Sequence, residues 1–272
     1  MQNNTGDLSN MRFAVLIDAD NAPRDCLKSV MEEIAIYGTP TIKRIYGDWT
    51  SPNVGGWKAS LLENAVTPIQ QYGYTTGKNS TDSAMIIDAM DIIYSGQTEG
   101  FVIVSSDSDF TRLAIRLREA GMRVIGIGEH KTPGPFIVAC DKFIYIEVIR
   151  DRCKTEAKPP VEKQAPKADK KTAQKNSSNQ EKAAEKSGSK RVPEDIVKLI
   201  ADSVADLADD DGFSDMSNLG NLIIKKQPDF DPRSFGFSKL STMLKALPRF
   251  EVEVRPTADP HVKPMYIRDK EA

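Results

Sequence analysis

Over the first 150 residues, short apolar runs alternate with longer stretches whose apolar positions recur at helical spacing. FAVLI (13–17) precedes a helical stretch at 23–37, TIKRIYG (41–47) precedes 55–64, and AVTPIQ (65–70) precedes 81–94. FVIV (101–104) precedes 109–120, and MRVIGIG (122–128) is followed by a short turn and KFIYI (142–146). The alternation predicts an α/β domain, a parallel sheet covered by helices on both faces, because parallel strands need crossover connections and helices supply them. In such sheets the ligand site lies outside the carboxyl ends of the strands.

The pattern stops at residues 150–190, where the chain from Asp151 to Lys190 holds no Leu, Ile, Met or aromatic residue. Such a segment cannot bury enough apolar surface to offset the entropy of ordering it, which predicts a disordered, Lys-rich linker. Periodicity resumes in VPEDIVKLIADSVADLA (192–208), with apolar positions 192, 196, 199, 200, 204 and 207 and Pro193 near the first turn. Two further helical stretches and the short strands EVEVR and PMYIR follow, so residues 191–268 read as three helices and a β-ribbon, a small winged-helix domain. Leu219, Ile223, Phe235, Phe237, Leu240, Leu244 and Phe250 read as its core.

Composition narrows the chemistry. The 37 basic and 39 acidic residues nearly balance, so global charge selects no partner. Residues 1–150 carry 14 basic and 18 acidic groups and residues 191–272 carry 12 and 15, so the basic excess, 11 against 6, sits at 151–190. Three cysteines without C-x-x-C spacing predict neither a disulfide framework nor a zinc site. With two histidines in the chain, a histidine-rich metal centre and a Ser-His-Asp triad are both disfavoured, and any metal must rest on oxygen ligands. The N-terminus has no signal-peptide pattern and no run is long enough to span a bilayer, so a cytoplasmic protein without membrane contact is expected.

Two apolar runs end in the same acidic motif: FAVLIDADN ends in Asp18 and Asp20, and FVIVSSDSDF ends in Asp107 and Asp109. At about 100° per residue, Asp82 projects with Ile86, Ala89 and Ile93 toward the sheet, while Asp88 and Asp91 should face solvent. Asp18, Asp82, Asp107 and Asp109 are therefore expected to converge on one crevice, where like charges repel and raise carboxylate pKa values. A bound divalent cation removes that conflict, and hard oxygen ligands select Mg²⁺ or Mn²⁺. One or two such ions can lower the pKa of a water and stabilise the charge of a phosphate under attack.

These residues carry a resemblance. VLIDADNAP, GKNSTDSAMIIDAMDIIYSG and FVIVSSDSDFTRLAIRLREAGMRVIGIG resemble the NYN domain, a PIN-like ribonuclease family, over residues 11–149. The resemblance implies a Rossmann-like sheet of five or six parallel strands and a catalytic metal on Asp18, Asp82 and Asp107, with Asp109 contributing. It implies supporting roles for Asp20, Asn21 and Ser105, and places Lys78 where a cation could meet the scissile phosphate. Trp49 and Trp57, near Arg44 and Lys58, are candidates for stacking a base, with core packing as the alternative for at least one tryptophan. The C-terminal stretch, through DGF, DFDPRSFGFSKLSTML and LPRFE, resembles an OST-HTH, or LOTUS, domain. That family includes RNA binders and modules that dock a protein partner, which makes Lys225, Lys226, Arg233, Lys239, Lys245 and Arg249 candidate phosphate contacts.

Together these imply a metal-dependent ribonuclease whose second domain brings RNA to the crevice, the linker leaving the modules independently mobile. Two other readings remain open on sequence: a catalytically silent RNA-binding scaffold, and a haloacid-dehalogenase-like phosphatase in which Asp18 is the nucleophile.

Overall fold

The computed structural model describes residues 11–73, 80–156, 192–255 and 264–272. Lys78 and the linker from residue 157 to 191 lie outside the described residues.

Six strands form one parallel sheet: β1 (Arg12–Asp18), β2 (Thr39–Gly47), β3 (Thr67–Gln70), β4 (Gly100–Val104), β5 (Arg123–Gly128) and β6 (Lys142–Tyr145). Their order is β3-β2-β1-β4-β5-β6. The order reverses between β1 and β4, which pair in parallel from Phe13–Gly100 to Ile17–Val104, so the crevice expected of a doubly wound sheet opens between their carboxyl ends. Between the strands lie α1 (Leu27–Ile34), α2 (Lys58–Asn64), α3 (Ser80–Ser95), α4 (Thr111–Glu119) and α5 (Gly134–Ala139), with α6 (Ile146–Glu156) after β6.

Both faces are covered, and β1 is apolar almost throughout for that reason. Phe13, Val15 and Ile17 pack with α1, α2 and α6. Ala14 and Leu16 pack on the opposite face with α3, α4 and α5. Asp18 continues the parity of Ala14 and Leu16, so strand alternation turns it toward the face that α3 covers.

The second unit comprises α7 (Glu194–Leu207), α8 (Met216–Lys226) and α9 (Leu240–Ala246), with β7 (Ser214–Asp215), β8 (Phe250–Val254) and β9 (Met265–Asp269). Its antiparallel sheet has the order β7-β9-β8, so the expected ribbon gains a short third strand. Leu219, Ile223, Phe237, Leu244 and Phe250 are buried in its core, with Phe235 and Leu240 half-buried against it. Asp215 caps α8 by accepting from Ser217 N and Asn218 N at 2.9 and 3.0 Å.

Instead of standing apart as a mobile module, this unit touches the sheet. Phe143 N in β6 donates to Pro228 O at 2.9 Å, Tyr145 Oη donates to Asp229 Oδ2 at 2.7 Å, and Arg233 meets Glu33 of α1 with both terminal nitrogens at 2.9 and 2.7 Å. No helix among the described residues is long and apolar enough to cross a membrane.

Candidate active site

The two D-x-D motifs build the same local geometry at neighbouring strand ends. Asp18 Oδ1 accepts from Asp20 N at 3.0 Å, and Asp107 Oδ1 accepts from Asp109 N at 2.9 Å. In each motif the first carboxylate closes a tight turn, directly at the end of β1 and three residues beyond the end of β4, and lifts the second acid to the rim. The second turn opens a one-turn 3-10 helix, Ser108–Phe110, anchored by the fully buried Phe110.

Ser105 ties the two ends together. Its Oγ donates to Asp18 Oδ2 at 2.8 Å and accepts from Asp107 N at 3.1 Å. Asn21 Nδ2 also donates to Asp18 Oδ2, at 2.8 Å. Asp18, only 1% exposed, thus receives three hydrogen bonds, which is how a carboxylate survives so deep in the sheet. On the far side of Ser105, Gly128 at the end of β5 brings its backbone so close that a Cβ would stand 2.7 Å from Ser105 O. Ser106 Oγ accepts from Glu129 N at 2.9 Å and fixes the next loop.

Asp82 arrives from the opposite direction, in the first turn of α3 and on the same helix face as Met85, Ala89 and Ile92. Carboxylate oxygens of Asp82, Asp107 and Asp109 all lie within 4.8 Å of one another, close enough to share one cation. Burial in the crevice wall, and then the charges of Asp18, Asp107, Asp109 and Asp20, push the Asp82 carboxyl up to about 6. Asp20, exposed at the rim, is raised by partial desolvation and then by Asp18 and Asp48. Asp18 stands beside the three clustered acids, contributing charge and holding the β1 end.

Asp48 is the residue that the sequence reading passed over. It follows β2 directly, as Asp18 ends β1, and its Oδ1 accepts from Thr50 N, Thr50 Oγ1 and Gln70 Nε2 at 3.1, 2.6 and 3.0 Å. These donors hold its carboxyl down to about 2, so it is a fixed negative charge on the β2 side of the crevice. Trp49 is half-buried beside it, with Nε1 donating to Ile69 O at 2.9 Å, while Trp57 is core at 1% exposure.

Three expectations need correction. Asp88 does not face solvent: it binds the Arg44 guanidinium and the Tyr46 hydroxyl between α3 and β2. Its bearing away from Asp82 is as expected, but α3 straddles β1 and β2 and so buries a wider arc. Arg44 is therefore spent inside the fold and is no partner for a stacked base, whereas Asp91 is exposed as expected. Of the six candidate phosphate contacts, Lys225, Lys239 and Lys245 are exposed. Lys226 pairs with Asp206, Arg249 with Asp269 and Glu271, and Arg233 with Glu33 and Asp231.

Residues 12–147, half of the chain, match the NYN domain family. The chain belongs to that family. Residues 189–262 match the OST-HTH/LOTUS domain, so the second unit is a LOTUS domain. No curated protein matches the chain. Among solved structures, a protein of unknown function from Vibrio parahaemolyticus is 18% identical, covering 54% of this chain and 96% of its own, with a TM-score of 0.44. An uncharacterized protein from Nitrosomonas europaea is 35% identical, covering 36% of this chain and 92% of its own, with a TM-score of 0.28.

Proposed function

We propose that this protein is a divalent-metal-dependent ribonuclease that hydrolyses RNA phosphodiesters in the NYN crevice. The observation that carries the reading is the convergence of Asp82, Asp107 and Asp109 within 4.8 Å at the sheet's switch point. Membership of the NYN family, a nuclease family, supports this reaction class.

The donor set fits Mg²⁺ or Mn²⁺, because the crevice offers carboxylates backed by Ser and Asn, with no thiolate or imidazole among these ligands. The raised Asp82 carboxyl fits too, since it records burial and then repulsion by neighbouring acids, and a cation would offset both. A bound ion would supply an activated water and neutralise charge on the phosphate under attack. Asp82, Asp107 and Asp109 would hold it. Ser105 and Asn21 keep Asp18 oriented so that its charge stays aimed into the crevice. Asp107 both faces the crevice and closes the turn that presents Asp109, so one side chain sets the position of another.

The phosphatase alternative needs Asp18 as a nucleophile with a free carboxylate oxygen. Both of its oxygens are engaged by donors in a site only 1% exposed, which opposes that role. RNA engagement by the LOTUS domain would fall to the exposed Lys225, Lys239 and Lys245.

The test is incubation of wild type and Asp107→Asn with single-stranded and structured RNAs in Mn²⁺, Mg²⁺ and EDTA. Wild type should cleave only with metal, and the variant should lose at least about 10²-fold, as when a principal electrostatic stabiliser goes. Equal cleavage by both proteins would show that the activity is not this site's.

A further inference from the structure

We propose that the LOTUS domain is latched in cis to the NYN domain, with Arg233 as the bolt and the β6 edge of the sheet as the seat. Three observations converge on this latch.

The first is Glu33. Its carboxylate is 2% exposed, and a charge so deeply buried requires a partner with matching geometry. That partner comes from the other domain: Arg233 Nη1 and Nη2 donate to the two Glu33 oxygens at 2.9 and 2.7 Å, a two-pronged contact spanning 200 residues of chain. Arg233 also donates to Asp231, with Nη2 at 2.7 Å from Oδ2, so its guanidinium is consumed by two carboxylates rather than offered to phosphate. Lys142, 7% exposed at the start of β6, feels the charges of Asp231, Arg233 and Glu33 and completes the cluster at two acids and two bases.

The second is the strand edge. β6 ends the sheet, and an uncovered edge presents unpaired backbone groups that invite other chains. Here the loop after α8 covers it, Pro228 O accepting from Phe143 N at 2.9 Å.

The third is Tyr145, at the carboxyl end of β6, whose hydroxyl donates to Asp229 at 2.7 Å. The contact therefore runs the length of β6, from Lys142 to Tyr145. An interface of this size suffices when both halves belong to one chain, because association is then intramolecular. Glu33, at the end of α1, and Lys142, at the start of β6, lie at the amino ends of the strands, so the bolt sits at the end of the sheet opposite the clustered acids, and the Tyr145–Asp229 contact is the one at the carboxyl end. The latch does not rest on the ribonuclease reading.

The experiment is amide hydrogen exchange and small-angle scattering on the full chain, with Arg233→Glu and Glu33→Lys placing the perturbation on either side of the interface. In wild type the Phe143 amide should be protected. Each variant should speed its exchange roughly tenfold or more and enlarge the radius of gyration, while the Ile125 and Ile127 amides of the interior strand β5 stay protected and report an intact sheet. If Glu33→Lys disturbs β5, Arg233→Glu, which lies outside the NYN domain, decides. An unprotected Phe143 in wild type overturns the latch, and so does unchanged protection and scattering in Arg233→Glu.

Discussion

Replacing Asp82 by Asn should stabilise the metal-free protein while removing its activity. Burial and four neighbouring acids raise the Asp82 carboxyl from its ordinary 3.8 to about 6. At 1.36 kcal/mol per pKa unit, a rise of about two units corresponds to about 3 kcal/mol of disfavoured charge near neutral pH. Water in the open crevice screens part of this, and the N-terminal turn of α3 favours an acid by about 0.5 kcal/mol that Asn forfeits. A net gain of about 1–2 kcal/mol is expected, which for a domain of this size is a melting rise of roughly 3–6 °C. The sign fixes the pH window. Because the folded-state pKa is raised, the native form binds the proton more tightly than the unfolded chain. The penalty is therefore absent below about pH 4 and grows as pH rises through about 6. Thermal melts in EDTA at pH 7.5 and pH 4.5 should show a gap between variant and wild type that shrinks at the lower pH. Saturating Mn²⁺ should reverse the order, since metal at a hundred times its Kd stabilises the binding-competent wild type by about 2.7 kcal/mol. A variant that melts below wild type in EDTA at pH 7.5, or a gap that ignores pH, would refute the reasoning.

Asp18→Asn should behave oppositely in melts: whichever way the amide turns, its NH₂ faces a donor at Asp20 N or at Asn21 and Ser105. About 1–3 kcal/mol of stability should go with the activity, read as a lowered midpoint in urea. Asp88→Asn should keep RNA cleavage within a few-fold, yet cost about 1–2 kcal/mol of stability through weakening of the Arg44 and Tyr46 contacts, read as a lower melting temperature. Reversing Lys225, Lys239 and Lys245 to Glu should weaken RNA binding in a filter assay and flatten its salt dependence by about two units of slope, at roughly 0.7 per phosphate on a single strand. An unchanged slope would place the contacts elsewhere.

The order of elements was legible because each strand of a parallel sheet is a compact apolar run bounded by turns. Even the facing of Asp18 follows from β1 parity. Less legible was anything that depends on the width of a helix contact. Asp88 sits away from Asp82 on the helical wheel, and the wheel alone sends it to solvent. It does not know that α3 lies over two strands, nor that the alternation Ile42, Arg44, Tyr46 turns a cation and a hydroxyl up beneath it. Asp48 escaped because the search was for paired acids, whereas the simpler rule, an acid at or directly after a strand's carboxyl end, finds Asp18 and Asp48 together. The pairing of Arg233 with Glu33 had no local signal: its partners are 200 residues apart, and a basic residue in a LOTUS-like stretch invites a phosphate reading.

The two central acids show how one crevice can be both stable and receptive to a cation. Asp18 is the more deeply buried, yet its charge is met by a backbone N–H, an amide and a hydroxyl, so it serves as a permanent part of the fold. Asp82 faces mainly other carboxylates, and its charge is the one that burial and repulsion disfavour. A site built wholly like Asp18 would have its oxygens occupied and little capacity left for a ligand. One built wholly like Asp82 would repel itself apart near neutral pH. Placing the hydrogen-bonded acid at the strand end and the acid whose charge is disfavoured on the facing helix confines the repulsion to the gap between β4 and α3, where a cation would be most strongly held.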